Sequence, residues 1–190
     1  MSTRARVLII GNCVSHEVQK VRTANDGHAK AKDVLKSLLV QRITERTVRF
    51  IGEEAQYGHE TIAETLKTRK DGWINMDMPM QERDAAGIAE EQRDRGCIPR
   101  YVGEEARCQL TENGYEQSVG NGWIQLIPRL PSDEIREQYM FDRVVENFNS
   151  VDSILLLCGV LHSQALAAKF GEAGFEVELE FWKLKNADST

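Results

Sequence analysis

The sequence predicts an α/β domain with a mainly parallel sheet and helices on both faces. Short apolar runs, typical of strands buried on both faces, alternate along the chain with segments whose apolar residues recur every three or four positions. Such alternation implies right-handed crossovers between parallel strands. A chain of 190 residues is long enough for one hydrophobic core and slightly short for two, so we expect a single domain over residues 1–190.

The first half of the chain contains three predicted strand–helix pairs. The first strand is a continuous run of β-branched residues and leucine, and the helix after it carries apolar residues at helical spacing. The third strand ends at Asp77, and Pro79 suits the first turn of the next helix. The predicted strands are Arg6–Asn12, Thr47–Gly52 and Trp73–Met76, and the predicted helices cover about His28–Arg46, His59–Arg69 and Met80–Arg93.

The segment from Gly96 to Pro131 has no clear periodicity, and its glycines and prolines mark turns. A structureless connection of this length is unusual in a compact domain. Residues 96–131 are therefore expected to form either a hairpin-bearing insertion or an active-site lid. Within them, Val119–Ile127 is suited to a short strand.

The last third returns to alternating helices and strands. Ser132 is a good N-cap for a helix that extends to Phe148. A further helix, Ser163–Glu172, ends at a glycine. Ser153–Cys158, the most apolar stretch in the chain, is a predicted core strand. Phe175–Leu184 alternates apolar residues with glutamates, which predicts an edge strand with one solvated face.

The composition restricts the class of partner. The net charge is −6, so nucleic acid is not expected as the main partner, because nonspecific DNA affinity comes from Lys and Arg that neutralise phosphates. No apolar run approaches the roughly 18 residues that cross a bilayer, and no signal-peptide pattern is present. We therefore expect a soluble, cytoplasmic protein without a membrane partner.

Chemically versatile side chains follow four strand ends: His16, the pair Glu53-Glu54, Asp77 and His162. In an open parallel sheet, ligands bind outside the carboxyl ends of the strands, so these side chains are expected to share one crevice. Simpler roles remain open for each. Asp77 is suited to capping the next helix, the glutamates to a solvated helix start, and His162 to a cap or a core position.

Two kinds of chemistry fit these residues. Imidazoles and carboxylates are ligands for a divalent metal, zinc or manganese, with His16, Glu53 and His162 as the candidate set. The same groups also serve without metal, as a base and an orienting acid in hydrolysis. The chain has no His-Glu-x-x-His helix, no Walker-type loop and no Gly-x-Gly-x-x-Gly fingerprint, which argues against the familiar zinc proteases and against ordinary ATP or dinucleotide binding.

Arginines form a second set of candidates. Arg136, Met140 and Arg143 share one face of a predicted helix. Arg83 and Arg136 are expected either to hold an anionic substrate or to pair with the strand-end carboxylates, because arginine binds carboxylate and phosphate in bidentate fashion. For Arg143 we expect ordinary salt bridges to Asp133, Glu137 or Asp142.

The order of these turns resembles a known group of proteins. A Gly-x-x-His-like turn, a strand followed by Glu-Glu, a strand followed by Asp with a nearby Arg, and a late Cys-Gly-Val-Leu-His resemble the superfamily of TraB, Tiki, haem-uptake ChaN-like and erythromycin-esterase-like proteins. Small uncharacterised bacterial proteins within or near that group are the most similar. The first turn departs from the pattern, because four residues separate Gly11 from His16 where the family usually has two.

The resemblance implies an α/β fold with its site at the strand ends, and for several members a metal-dependent or His/Glu-based hydrolytic activity. Carried over to this chain, it assigns the core of the site to His16, Glu53 or Glu54, and His162, with Arg83 in support. The fold alone does not name a substrate.

The leading functional hypothesis is a small hydrolase acting on a small molecule or a peptide bond, with or without a divalent metal. Glu53, Glu54, His162 and Arg83 are its candidate catalytic residues, and Arg136 and Asp77 its candidate substrate-binding residues. The alternative is a non-catalytic binding module for an anionic small molecule or a nucleotide, and a homodimer is an open option for either.

Overall fold

The computed structural model describes residues 5–12, 16–22, 29–55, 57–94, 108–119, 122–148 and 153–182. The strands are β1 (Arg6–Asn12), β2 (Phe50–Glu53), β3 (Trp73–Asn75), β4 (Cys108–Thr111), β5 (Gly114–Val119), β6 (Gly122–Pro128), β7 (Ser153–Gly159) and β8 (Glu176–Trp182). The helices are α1 (His16–Gln19), α2 (Ala29–Arg46), α3 (Ile62–Thr65), α4 (Met80–Ala85), α5 (Ala89–Asp94), α6 (Ser132–Asn147) and α7 (Val160–Glu172).

Five strands form one parallel sheet in the order β3-β2-β7-β1-β8. The central strand β7 pairs with β1 on one side and with β2 on the other, so that Leu155 lies level with both Leu8 and Ile51. The predicted α/β fold with a mainly parallel sheet is confirmed, and β8 lies at an edge, as its alternating sequence indicated.

The sheet has a hydrophobic core on each face, because successive side chains of a strand point to opposite sides. On one face, Ile9 and Leu156 pack in a core that includes Met140 of α6 and Leu166 of α7. On the opposite face, Leu8 packs in a core that includes residues of α2 and α3. Both faces of the sheet are therefore covered by helices.

The direction of the connections creates a topological switch point at the carboxyl edge of the sheet. The chain leaves β1 and β2 toward the face covered by α2 and α3, whereas it leaves β7 toward the face covered by α6 and α7. Since β7 lies between β1 and β2, neighbouring connections diverge on both sides of its carboxyl end. Such switch points are the usual ligand sites of open α/β sheets.

Some element boundaries differ from the sequence prediction. The helix expected over Met80–Arg93 is two short helices, α4 and α5, because Gly87 between them has φ +71°. The helix expected over His59–Arg69 is only the turn α3. Its start is set by Thr61, whose hydroxyl accepts a hydrogen bond from the Glu64 N–H.

The irregular segment contains an antiparallel sheet of its own, in the order β4-β5-β6. These strands lie within residues 96–131, for which a hairpin-bearing insertion and an active-site lid were the two interpretations, and the choice between them stays a prediction. The strand expected over Val119–Ile127 corresponds to β6, which begins three residues later. Residues 95–107, and with them the start of the insertion, lie outside the described residues.

Within the described ranges, the structure has no helix with both the length and the apolar character needed to cross a membrane.

Gly11 allows β1 and α7 to approach each other closely. A Cβ atom at this position would lie 2.8 Å from the Ser163 Oγ, 3.0 Å from the Ser163 Cβ and 3.2 Å from a ring carbon of Phe181.

We therefore expect Gly11→Ala to lower the free energy of unfolding by about 1–3 kcal/mol through overpacking, as measured by urea denaturation. Gly171→Ala is the control. A Cβ there meets nothing within 4 Å, and we expect no loss of stability. Equal stability of the two variants would contradict this account of Gly11.

Candidate active site

The guanidinium group of Arg136 lies at the centre of a buried cluster at the carboxyl edge of the sheet. Its Nη2 atom donates to the Glu54 Oε1 at 2.9 Å and to the Asp77 Oδ1 at 2.7 Å. Its Nη1 atom lies 3.2 Å from the His162 Nε2. One side chain of α6 thus binds the segments that follow β2 and β3 as well as the first turn of α7.

Glu54 is held in this position from both ends. It directly follows β2, and its N–H continues the ladder to β7 by donating to the Leu157 carbonyl at 2.8 Å. Its second carboxylate oxygen, Oε2, accepts the Gly159 N–H at 2.6 Å. A Cβ at Gly159 would lie only 3.2 Å from that oxygen, so the glycine allows the backbone to approach the carboxylate closely.

Asp77 is a second anchor for arginine. Besides Arg136, its carboxylate accepts the Met78 N–H at 2.8 Å and the Arg83 Nη2 at 2.6 Å. Arg83 is fixed in turn by a bond from its Nε to the Met78 carbonyl at 2.8 Å. Helix α4 starts at Pro79 without a side-chain cap, so Asp77 does not have the capping role considered from the sequence.

His162 lies in the first turn of α7 and is paired with Glu137 of α6. Its Nδ1 is 3.0 Å from the Glu137 Oε1, and its Nε2 is 3.8 Å from the Glu54 Oε1. Arg129 binds both oxygens of Glu137, at 2.8 and 2.7 Å. Burial opposes the charge of Glu137, but the hydrogen bonds from His162 and Arg129 outweigh it and lower the pKa of this carboxyl.

The hydrogen-bond pattern selects one tautomer of the neutral His162 ring. Because the ionised Glu137 carboxylate can only accept, the hydrogen of the neutral ring lies on Nδ1, and Nε2 accepts from Arg136. An imidazole whose far nitrogen is held by a carboxylate is the usual arrangement of a histidine base. His162 is only 2% exposed, and its Nε2 faces Arg136 and Glu54.

The cluster as a whole is balanced in charge. Burial opposes the charge of Arg136, but the attraction of Asp77 and Glu54 outweighs it, and the pKa of the guanidinium is raised. Each carboxylate is bound by at least one arginine. The cluster comprises the arginines Arg83, Arg129 and Arg136, the carboxylates Glu54, Asp77 and Glu137, and the imidazole of His162.

Glu53 lies in a different environment from Glu54, its neighbour in sequence. One oxygen, Oε2, accepts hydrogen bonds from the hydroxyl of Thr61 and from the indole N–H of Trp73. The other oxygen, Oε1, is buried and makes no hydrogen bond within the described structure. Burial raises the pKa of this carboxyl to about 7, although the two hydrogen bonds act in the opposite direction.

The structure brings five of the seven predicted site residues together: Glu54, Asp77, Arg83, Arg136 and His162. Glu53 belongs to a separate network on the other face of the sheet, since its partner Trp73 packs against the core beneath α2 and α3. The side chain of His16 lies outside the described part of the structure.

The expected salt bridges of Arg143 are wrong in the part of the chain that the structure describes. Glu137 is bound by Arg129 instead, and Asp142 accepts from Gln138. The Nε of Arg143 is buried and has no hydrogen-bond partner among the described residues. The helical spacing therefore predicted correctly that Arg136 lies beside the strand-end carboxylates, but it predicted the wrong partners for Arg143.

Sequence reasoning did not identify Glu137 and Arg129 as members of the site. Glu137 occupies a position one residue after Arg136, and both are buried although both are charged. Charged residues among the core-facing positions of α6 are a signal that was present in the sequence. Arg129 directly follows β6, at the end of the irregular segment, where no pattern marks it.

Among the described residues, no group of three or more His, Cys, Asp or Glu side chains is arranged to hold a metal ion. The candidate set of His16, Glu53 and His162 includes a side chain outside those residues, so the metal stays a prediction. Neither a protein-family model, nor a curated protein, nor a solved structure matches the chain. The family resemblance likewise stays an expectation from the sequence.

Removing the central cation is expected to destabilise the protein strongly. Arg136→Met leaves the buried carboxylates of Glu54 and Asp77 without their shared partner. We expect the free energy of unfolding to fall by about 3–5 kcal/mol in urea denaturation. Arg69→Met, which breaks an exposed pair with Asp71, is the control and should cost at most about 1 kcal/mol. A loss for Arg136→Met no larger than that of the control would show that the cluster does not hold this edge together.

The raised pKa of Glu53 predicts a pH dependence of stability. The folded state binds this proton more tightly than the unfolded state, whose pKa lies near 4.5. The contribution is thus fully present below that pH and is lost as the pH rises through about 7. We expect Glu53→Gln to remove this decline, which is on the order of 3 kcal/mol between pH 4.5 and 8.

Urea denaturation at a series of pH values measures this difference, with the exposed Glu60→Gln as control. If Glu53→Gln and wild type lose stability in parallel over that range, Glu53 does not ionise as described.

Proposed function

We propose that the protein is a hydrolase of a small molecule or a peptide bond, in which His162 is the group that accepts and returns a proton. The observation that carries the proposal is the pair of His162 and Glu137 at 3.0 Å, buried where the connections of a parallel sheet diverge. General bases held in this way contribute about 10²–10⁴-fold to the rate of proton-transfer reactions.

In the proposed reaction, the His162 Nε2 accepts a proton from water while the water oxygen bonds to the carbonyl carbon of the substrate. Electrons of the carbonyl bond move to its oxygen, which becomes negatively charged. When the bond to the leaving group breaks, His162 returns the proton to that group. Glu137 holds the ring in the required tautomer and stabilises the imidazolium that forms between these steps.

Arg136 has two roles in this proposal. Before substrate binds, its Nη1 occupies the Nε2 of His162 at 3.2 Å. A negatively charged oxygen on the substrate is a stronger acceptor than a neutral imidazole, so the guanidinium would turn toward it and free Nε2. The same cation then stabilises the charge that develops on the carbonyl oxygen.

Glu54 and Asp77 keep Arg136 at this edge, and Arg83 supports Asp77. Glu54 also lies near the reacting nitrogen, with its Oε1 at 3.8 Å from the His162 Nε2. Of the two glutamates among the candidate catalytic residues, Glu54 fits the proposal and Glu53 does not, because Glu53 hydrogen-bonds to Thr61 and Trp73 instead.

A zinc- or manganese-dependent form of the reaction remains part of the proposal. Glu54, Asp77 and His162 all converge on the guanidinium of Arg136, which already supplies a positive charge there. A divalent ion at this point would have to displace that side chain. Activity that chelator abolishes and the metal restores would favour the metal-dependent form.

The geometry does not favour a binding module for an anionic ligand. Tight binding of a permanently charged anion needs an excess of positive charge, whereas each arginine of the cluster is already paired: Arg83 with Asp77, Arg129 with Glu137, and Arg136 with Glu54 and Asp77. The partial charge that develops on a carbonyl oxygen needs only a donor such as the Nη1 of Arg136, which among the described residues contacts the neutral His162, whereas both carboxylates bind the Nη2. We therefore treat tight nucleotide or phosphate binding without turnover as an outcome that would contradict the proposal.

The proposal is tested with two chromogenic substrates that contain a carbonyl carbon, p-nitrophenyl acetate and a peptide p-nitroanilide. We expect wild type to turn over at least one of them. His162→Gln should lower that rate by about 10²–10⁴-fold. His59→Gln, which changes an exposed histidine, is the matched control and should leave the rate unchanged.

Each assay is run with EDTA and with added Zn²⁺ or Mn²⁺, and folding of the variants is checked by circular dichroism. A folded His162→Gln protein with the wild-type rate would refute the role of His162. Absence of turnover on every substrate and metal, together with thermal stabilisation by ATP or inorganic phosphate, would favour the binding module instead.

A further inference from the structure

Arg129 connects the antiparallel insertion to the buried cluster. Its backbone N–H donates to the Asn113 carbonyl in the β4–β5 turn at 2.9 Å, which fixes the residue to the insertion. Its side chain reaches Glu137 on α6 with two hydrogen bonds and also lies 3.5 Å from the Leu161 carbonyl on α7. A single residue therefore joins the insertion to both helices that carry the histidine pair.

The two partners of Glu137 share one oxygen. The Oε1 atom receives both the Nη1 of Arg129, at 2.8 Å, and the Nδ1 of His162, at 3.0 Å. Among the described residues, Oε2 receives the Nη2 of Arg129, at 2.7 Å. The bidentate pair thus sets the plane of the carboxylate and aims Oε1 at the imidazole. The side chain of Glu137 is 1% exposed, and each of its oxygens is occupied by these donors.

Arg129 also influences which nitrogen of His162 carries the hydrogen. The arginine is one of two hydrogen-bond donors that keep the buried Glu137 carboxylate ionised. Without Arg129, the bidentate pair no longer sets the orientation of the carboxylate. Oε1 is then no longer aimed at the His162 Nδ1, and the second tautomer of the ring becomes accessible.

We propose that Arg129 is a positioning residue for His162, acting through Glu137, and that the insertion contributes to the site by this contact. The inference rests on the proposed function for its catalytic meaning, but the tautomer that it fixes is observable without any substrate. In wild type, Arg129 and Glu137 together hold the hydrogen on Nδ1 and leave Nε2 as an acceptor.

The test is the ¹⁵N spectrum of the histidine rings in uniformly labelled full-length protein at pH 7.5. The chain has four histidines, and the signals of His162 are assigned by their loss in His162→Gln. In wild type we expect one protonated nitrogen, Nδ1, and one unprotonated nitrogen, Nε2. In Arg129→Gln, mixing of the two tautomers should move the Nε2 signal toward the position of a protonated nitrogen and the Nδ1 signal toward that of an unprotonated one.

Two further variants separate positioning from mere folding. Arg129→Lys keeps the charge but not the bidentate geometry, and we expect an intermediate spectrum; it also replaces Arg129→Gln if the latter does not fold. Arg42→Gln removes an arginine of α2, which covers the other face of the sheet, where it pairs with Glu180, and its spectrum should match wild type. Turnover by Arg129→Gln should fall at least about tenfold.

The inference is overturned if folded Arg129→Gln, or folded Arg129→Lys in its place, has the wild-type His162 spectrum, since the arginine would then be only structural. A shifted spectrum in a protein whose turnover does not depend on His162 would support the positioning role and reject the proposed function. The two failures are therefore distinguishable.

Discussion

The shared ion pair of Arg136 with Glu54 and Asp77 is the interaction on which this edge of the protein depends. Burial of a guanidinium group is costly unless it is paired and hydrogen-bonded, and the same holds for the two carboxylates. Each group makes burial of the others tolerable. Because the carboxylates follow β2 and β3 and the arginine lies on α6, their pairing fixes three separate segments relative to one another.

The contacts at the carboxyl edge of the sheet also determine the position of His162. The start of α7 lies close to β1 at Gly11, and Glu54 accepts the N–H of Gly159 just before the helix begins. The imidazole is therefore held between Glu137 on one side and Arg136 on the other. A ring with both nitrogens hydrogen-bonded has one orientation, and a proton-transfer group needs that before any substrate arrives.

Glu53 and Glu54 show how one step along a strand changes the chemistry of a carboxyl group. Consecutive side chains of a strand point to opposite faces, so only one of the two glutamates reaches Arg136. The other points into the side of the sheet covered by α2 and α3, where burial dominates and its pKa rises to about 7. The sequence alone did not distinguish the two glutamates. Assigning each of them to a face of the sheet requires the exact residue at which β2 ends, and the pattern does not give that.

The parts predicted correctly from the sequence are those with a strong local signal. Continuous apolar runs located the core strands. Because ligands bind outside the carboxyl ends of parallel strands, Glu54, Asp77 and His162 were then expected at one edge of the sheet. Glu137 and Arg129 were missed because their pairing depends on contacts between distant segments. The sequence of α6 did contain a signal for Glu137. Positions 133, 136, 137, 140 and 144 have the spacing of a buried stripe, yet the residues at 133, 136 and 137 are charged.

The central claim is that Glu137 and His162 work as one unit, and a double-mutant cycle on turnover tests it most directly. Rates are compared for wild type, Glu137→Gln, His162→Gln and the double variant on whichever chromogenic substrate wild type hydrolyses. The account predicts that Glu137→Gln slows wild type but causes no further loss in the His162→Gln background, since groups acting as a unit are strongly non-additive. Equal slowing of both backgrounds by Glu137→Gln would contradict it.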